Sequence, residues 1–335
     1  MFENYQLKEL DLRIKSEARR VIAFLTQNGL KYEAMKRYVA FCDGDEIVAG
    51  GGFFNNVIKC VAVSEKAREQ NLINGLISYI RKSIFDGGYT NAFVFTKPIY
   101  EKHFKSLAFY AVGRGEKAIL LESDKKGIAD YCAKLSKLKK EGVSGGVVVN
   151  CNPITKGHLY LMQEASKRVD NLHIFVVKED QSLFRYADRF RLIKEAVKDL
   201  PNVILHEGSD YIISAATFPS YFLKDDIEIA VTQMQLDLNI FGSKIAPALN
   251  ISRRFIGSES EIFLVNYNAL MQKELPLYNV ECVEIPRKTF GGEVISASRV
   301  RALFAQGKLE EIKPLVPQPT YDFLASSDSN YAKKG

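Results

Sequence analysis

The chain has little of what marks a secreted, metal-stapled or membrane-spanning protein. Its 335 residues include only five cysteines: Cys42, Cys60, Cys132, Cys151 and Cys282. They are odd in number, widely spaced and without a Cys-x-x-Cys pair, which argues against a disulfide framework or a zinc knuckle and for a reduced, cytosolic setting. No His, Cys, Asp or Glu cluster has metal-ligand spacing, so no protein-held metal is expected. No apolar run approaches the ~20 residues needed to cross a bilayer, and the N-terminus is too polar for a secretory signal. A cytoplasmic protein without a membrane partner is therefore expected. Charge of one sign is not segregated either. The formal net charge is +6, but acids interrupt the lysines and arginines in stretches such as 8–20 and 134–141. That pattern disfavours nucleic-acid binding while suiting anionic substrates.

What is present is an ordinary globular composition, 47% hydrophobic and 26% charged, over a length that accommodates two domains. Residues 1–125 read as one mixed αβ domain. Helices are expected over 16–29, 65–84 and 100–106, and strands over 34–41, 46–54, 58–63, 92–96, 109–112 and 118–122. Residues 126–144 form a lysine-rich helical connector, with Ser144-Gly145-Gly146 as the boundary before the next strand. From there to residue 325, strands without polar alternation (147–150, 172–177, 203–206, 262–265, 281–285) alternate with helices. This is the signature of a parallel sheet covered on both faces. Residues 326–335 are polar and expected to fray.

The most informative stretch is Val147-Val148-Val149-Asn150-Cys151-Asn152-Pro153-Ile154-Thr155-Lys156-Gly157-His158. A β-branched run meets a tight turn, then a glycine and a histidine open an apolar-periodic helix. Backbone N–H groups at such a helix start suit a polyphosphate, and the segment points to the nucleotide site of an adenylate-forming enzyme. His158 falls in the first turn. The positive helix end disfavours its protonation, so it is expected as a neutral donor to an α-phosphate, against the plainer role of a packing histidine. Gly157 permits close approach of phosphate to backbone. Asn152 and Pro153 shape the turn, with Asn152 a nucleotide contact or an ordinary turn former. Thr155 offers one hydroxyl and is also a helix N-cap. Near the C-terminus, Ser296 and Ser298 precede the apolar helix of Val300, Leu303 and Phe304. Ser298 is expected to cap it, and Arg301, one turn on, to reach the same anion with a bidentate fork. The alternative is plain capping and surface charge.

Taken in order, several segments resemble the citrate lyase ligase family over nearly the whole chain. They are Asn152-Pro153-x-Thr155-x-Gly157-His158, Asp188-Arg189-Phe190-Arg191-Leu192-Ile193, Ser209-Asp210-Tyr211-Ile212-Ile213-Ser214, Arg254-Phe255-Ile256-Gly257, Tyr267-Asn268, Ile295-Ser296-Ala297-Ser298-Arg299-Val300-Arg301 and Leu315-Val316-Pro317-x-x-Thr320-Tyr321. The resemblance implies an acetyltransferase-like mixed αβ N-terminal domain and a Rossmann-like nucleotidyltransferase domain. It further implies that acetate attacks ATP to give acetyl-AMP and pyrophosphate. The acetyl group then passes to the thiol of a phosphopantetheine-type prosthetic group on the citrate lyase acyl carrier subunit. Mg2+ is expected to arrive with ATP. Related nucleotidyltransferases carry His-x-Gly-His, and Thr155 stands where the first histidine would be. The missing charge then falls to Lys156, Arg301 or a metal, and Arg189 and Arg191 are further contact candidates. In residues 63–72 the glycines of a coenzyme A turn are missing, and Glu65 and Glu69 oppose an anion there. The first domain is expected to dock the carrier's prosthetic group or support the second domain. A simpler enzyme that adenylates a phosphorylated coenzyme precursor is the alternative.

Overall fold

The computed structural model describes residues 5–178, 182–212, 221–223, 226–259 and 262–326. Ile213 and Ser214 of the quoted motif, and the expected tail from residue 327, lie outside them. The chain divides into two compact units, Met1–Asp130 with Phe218–Asn239, and Tyr131–Thr217 with Ile240–Gly335. No helix among the described residues is long and apolar enough to cross a membrane.

The first unit runs β1 (Gln6–Leu10), α1 (Lys15–Gln27), β2 (Arg37–Asp43), β3 (Glu46–Phe54), β4 (Val57–Val63), α2 (Leu72–Asp86), β5 (Phe93–Thr96), α3 (Glu101–Ser106), β6 (Tyr110–Arg114) and β7 (Ile119–Glu122). These strands form one sheet in the order β1-β2-β3-β4-β5-β7-β6, antiparallel except for β4 beside β5. This is the mixed αβ arrangement expected. One face buries Leu76, Ile77, Ile80 and Ile84 of α2 against Val39, Val48, Ile58 and Val94. The helix expected over 65–84 is broken. A 3-10 turn, Glu65–Gln70, ends at Asn71 in the left-handed region (φ 52°), which Asn tolerates better than most residues. β1 was not anticipated, because its short run Gln-Leu-Lys-Glu-Leu carries a weak alternation.

β4 and β5 pair at only two positions, Val57 with Phe93 and Ile58 with Val94. Beyond them Tyr221 spans the strands. Its hydroxyl donates to the Phe95 carbonyl at 2.9 Å and accepts from the Cys60 backbone N–H, and the Lys31 N–H donates to the Tyr221 carbonyl at 2.9 Å.

The rest of the chain supplies α4 (Gly127–Ser136), β8 (Ser144–Val149), α5 (Lys156–Ser166), β9 (Asn171–Val176), α6 (Tyr186–Ala196), β10 (Val203–His206), α7 (Asp226–Ile240), which up to Asn239 belongs to the first unit, α8 (Ala246–Leu249), β11 (Ile251–Gly257), α9 (Ile262–Glu274), β12 (Glu281–Ile285), the small hairpin β13 (Thr289–Phe290) and β14 (Glu293–Val294), α10 (Ala297–Ala305), α11 (Leu309–Ile312) and α12 (Gln318–Ser326). The parallel sheet, in the order β10-β9-β8-β11-β12, is the Rossmann-like core expected. Successive strands run outward from β8 in both directions. The crevice beyond the carboxyl ends of β8 and β11 is therefore the topological switch point where such sheets bind ligands.

Two expectations are corrected here. Residues 262–265 open the helix α9 instead of forming a strand; a short apolar run does not distinguish the two, and this one continues through Glu274. The strand in that region is β11, hidden by its charged pair. There Arg253 bonds Glu281 at 3.0 Å, and Arg254 lies over the Phe241 ring, 4.4 Å from its centroid. Ser144-Gly145-Gly146 lies inside β8, not before it. A Cβ on Gly145 would stand 2.6 Å from the Phe255 ring, and one on Gly146 3.1 Å from Phe241. The glycines are there because aromatic rings from the same core cover them.

On adjacent strands His173 and His206 form a buried, stacked pair, Nδ1 to Nε2 at 2.9 Å. Burial pushes His173 down to about 4, helped by the charge of Lys140. It pushes His206 down to about 3, with His173 adding to the shift. Unfolded, both rings titrate near ~6.5. Below that pH the unfolded chain takes up protons that the native core refuses, so stability falls as pH drops from 6.5 towards the two native values. Urea midpoints at pH 7.5, 6 and 5 are expected to decline in that order, and His206→Phe, beside Phe175, to flatten the decline.

Candidate functional site

The loop between β8 and α5 is shaped by two backbone features. Cys151 takes a positive φ of 51°, and the Asn152-Pro153 bond is cis. Cys151, Ile154 and Thr155 are buried, so the turn rests on the core below it. Thr155 is the N-cap of α5, extended at φ −117° and ψ 167°. Its hydroxyl accepts from the His158 N–H at 3.3 Å, while its own N–H donates to His158 Nδ1 at 3.1 Å. This reciprocal capping box fixes the histidine ring. Because Nδ1 accepts, the neutral ring carries its proton on Nε2.

α10 is capped by Ser296, whose hydroxyl accepts from the Arg299 N–H at 3.1 Å. Ser298, the expected cap, instead lies inside the first turn and accepts from Arg301 Nη2 at 3.0 Å. The other fork nitrogen, Arg301 Nη1, donates to the Asn152 carbonyl at 2.7 Å. The two helix openings thus touch through residues 149 apart in sequence. Gly157 makes the same contact tighter, since a Cβ there would stand 2.7 Å from the Ile295 carbonyl oxygen. Its freedom from a side chain serves the meeting of two backbones.

Burial, then the positive charges of Arg287 and Arg301, push His158 down to about 4. Near neutral pH it is an uncharged donor through Nε2. Burial also lowers Arg301, which stays charged. In α5 the Lys156 N–H donates to the Leu315 carbonyl at 2.8 Å and the His158 N–H is spent on Thr155. The backbone donors left without an acceptor among the described residues are therefore Gly157 in α5, and Ala297 and Ser298 in α10. Among the described residues no group of three or more His, Cys, Asp or Glu could hold a metal ion.

Residues 144–324 match the family model of the citrate lyase ligase C-terminal domain. The chain is 37% identical over 325 residues to citrate (pro-3S)-lyase ligase of Haemophilus influenzae, which covers 93% of this chain and 97% of that one. It is 36% identical over 328 residues to the Klebsiella pneumoniae protein of the same name, covering 95% and 96%. The chain belongs to the citrate lyase ligase family. A solved structure of Thermotoga maritima TmcAL bound with alpha-thio ATP aligns at a TM-score of 0.36 and 17% identity, over 55% of each chain.

In this citrate lyase ligase family member, Asn152, Pro153, Thr155, Gly157, His158, Ser296, Ser298 and Arg301 gather at the two helix openings. Three further candidates, Arg189, Lys156 and Arg191, have other partners. Arg189 is wholly buried beneath the loop. Its guanidinium donates to the carbonyls of Asn150 (2.6 Å), Val177 (3.2 Å) and Phe184 (3.2 Å) and to Asn150 Oδ1 (2.6 Å). Through these bonds it holds the loop from below. The Lys156 ammonium reaches the Lys313 carbonyl at 3.4 Å. Arg191 pairs with Asp188 on an exposed helix face. The sequence reading missed Arg287, which follows the end of β12 and is the first of the two charges acting on His158. A basic residue just past a parallel strand's carboxyl end was the available signal.

Gly157→Ala forces either α5 or the Ile295 backbone to move. We expect a loss of about 1–3 kcal/mol, the usual cost of overpacking, with weakened ATP binding. Urea unfolding and nucleotide titration check the two.

Proposed function

We propose that this chain activates acetate with ATP, releasing pyrophosphate, and acetylates the prosthetic-group thiol of the citrate lyase acyl carrier subunit, converting the lyase to its active acetyl form. The carrying observation is the bond from Arg301 to the Asn152 carbonyl, which sets both helix openings around one space. A carboxylate oxygen of acetate forms a bond to the α-phosphorus as the bond to the β-phosphate oxygen breaks, leaving acetyl-AMP and pyrophosphate. The thiolate then attacks the acetyl carbonyl and AMP departs.

The chain's own groups fit the charge changes of this sequence. Negative charge grows on the α-phosphate oxygens during attack, and donors placed beforehand stabilise it most. His158 supplies Nε2–H from a ring whose orientation the Thr155 box fixes. Arg301 adds full charge, and the unspent N–H groups of Gly157, Ala297 and Ser298 suit phosphate oxygens at helix starts. Mg2+ enters with ATP, held by phosphates and waters more than by protein.

The N-terminal unit, in our reading, does not take up acetyl-CoA. Glu65 opens its 3-10 turn where an anion would lie, and the gap between β4 and β5 is bridged by Tyr221. Calorimetric titration of the full chain with acetyl-CoA is expected to give no saturable heat; saturable binding would overturn this point.

The decisive assay is exchange of labelled pyrophosphate into ATP, expected only when acetate is present. Exchange without acetate would favour a simple nucleotidyltransferase. His158→Ala is expected to lower exchange about a hundredfold or more, the effect of losing one preorganised donor. It should cost only about 1 kcal/mol of stability for the lost cap bond. An unchanged rate removes His158 from the site.

A further inference from the structure

Arg287, a cation whose charge acts on His158, takes no part in the chemistry proposed for His158 and Arg301. It follows β12, and its environment is built. Its N–H donates to the Ser258 hydroxyl at 3.0 Å, and its Nη2 pairs with the Glu259 carboxylate. Ser258 and Glu259 follow β11, so the neighbouring parallel strands hold Arg287 between them at the switch point. The arginine side chain is 33% exposed and the glutamate 14%. Among the described residues Nη1 and Nε have no acceptor. Lys288, the next residue, is directed elsewhere, its ammonium 5.6 Å from the centroid of the Tyr160 ring.

The side of the site on which Arg287 lies is set by backbone. The Ile295 N–H donates to the Lys288 carbonyl at 3.0 Å, closing the β13–β14 hairpin. Arg287 therefore stands at the foot of the hairpin whose other end is Ser296, the cap of α10. The attacking and leaving oxygens in phosphoryl chemistry lie roughly in line across phosphorus. In the adenylation reading, α10 and Arg301 hold the β- and γ-phosphates, so acetate comes from the opposite side of the α-phosphorus and a cation at the foot of the hairpin leading into α10 lies on the leaving-group side.

We propose that Arg287 binds the departing pyrophosphate, and that Glu259 and Ser258 position it for that contact. Glu259 holds Nη2, and the guanidinium N–H groups that remain are available to phosphate oxygens, with which arginine pairs strongly. This assignment rests on the adenylation reading, but its test separates the two. The full-length chain and its Arg287→Gln and Arg287→Lys variants are titrated with pyrophosphate alone, and KM values for ATP and acetate are measured in the exchange assay.

Arg287→Gln is expected to weaken pyrophosphate binding about ten- to hundredfold, as for one charge-assisted pair. It should raise KM for ATP and leave KM for acetate unchanged. Arg287→Lys, which keeps charge but not the fork, is expected to fall between Gln and wild type in pyrophosphate affinity. Pyrophosphate affinity unchanged in Arg287→Gln, with circular dichroism showing a folded protein, overturns the proposal; so does a rise confined to KM for acetate. If Arg287→Gln fails to fold, the Lys variant decides: pyrophosphate affinity equal to wild type overturns the proposal, and weaker binding supports it. A wild type that binds pyrophosphate through Arg287 yet shows no acetate-dependent exchange would sink the adenylation reading and leave the arginine's role standing.

Discussion

The close meeting of two backbones, at Gly157 and Ile295, is the constraint on which the rest of the site depends. Without a Cβ at Gly157 the start of α5 comes within contact of the carbonyl just before α10's cap. Only at that separation does Arg301 reach the Asn152 carbonyl while also bonding Ser298. The arginine is thus partly neutralised by oxygen atoms, held in one rotamer and left charged. An unconstrained arginine would have to give up side-chain freedom each time it met a phosphate, at about 1–2 kcal/mol; here that ordering belongs to folding.

Beneath this contact the parallel sheet and its buried arginine do the positioning. Arg189 enters the core and binds carbonyls from the ends of β8 and β9 and from Phe184. Phe184 in turn donates its N–H to Asn152 Oδ1 at 3.1 Å and buries its ring against Phe304 and Phe323. Loop, α6 and the C-terminal helices are therefore linked by directional bonds as well as apolar burial. Loops on such a support keep their donors oriented, which matters more for catalysis than the number of donors.

Much of this was legible in the sequence because each cue had a local cause. A β-branched run, a turn, a threonine and a histidine in the next helical turn specify strand, cap and ring. Ser296 and Ser298 announced a helix start, though which of them caps it depended on a register that spacing alone does not set. What was not legible depended on tertiary partners. Gly145 and Gly146 resemble a linker until Phe255 and Phe241 are seen covering them. Arg189 and Arg191 are near neighbours on one helix, yet one is buried and one exposed, because the carbonyls that receive Arg189 come from distant strands. Arg287 carried no motif; its position follows only from the order of β11 and β12 in the sheet.

The Thr155–His158 box also limits what the histidine can do. With the Nδ1 lone pair engaged by a backbone N–H and the proton seated on Nε2, the ring has no basic nitrogen left to offer. It can lend a proton's positive end to an oxygen but cannot take a proton from an incoming sulfhydryl. In the reaction proposed here, the thiol would therefore have to arrive already ionised, or lose its proton to another residue or to the departing nucleotide itself.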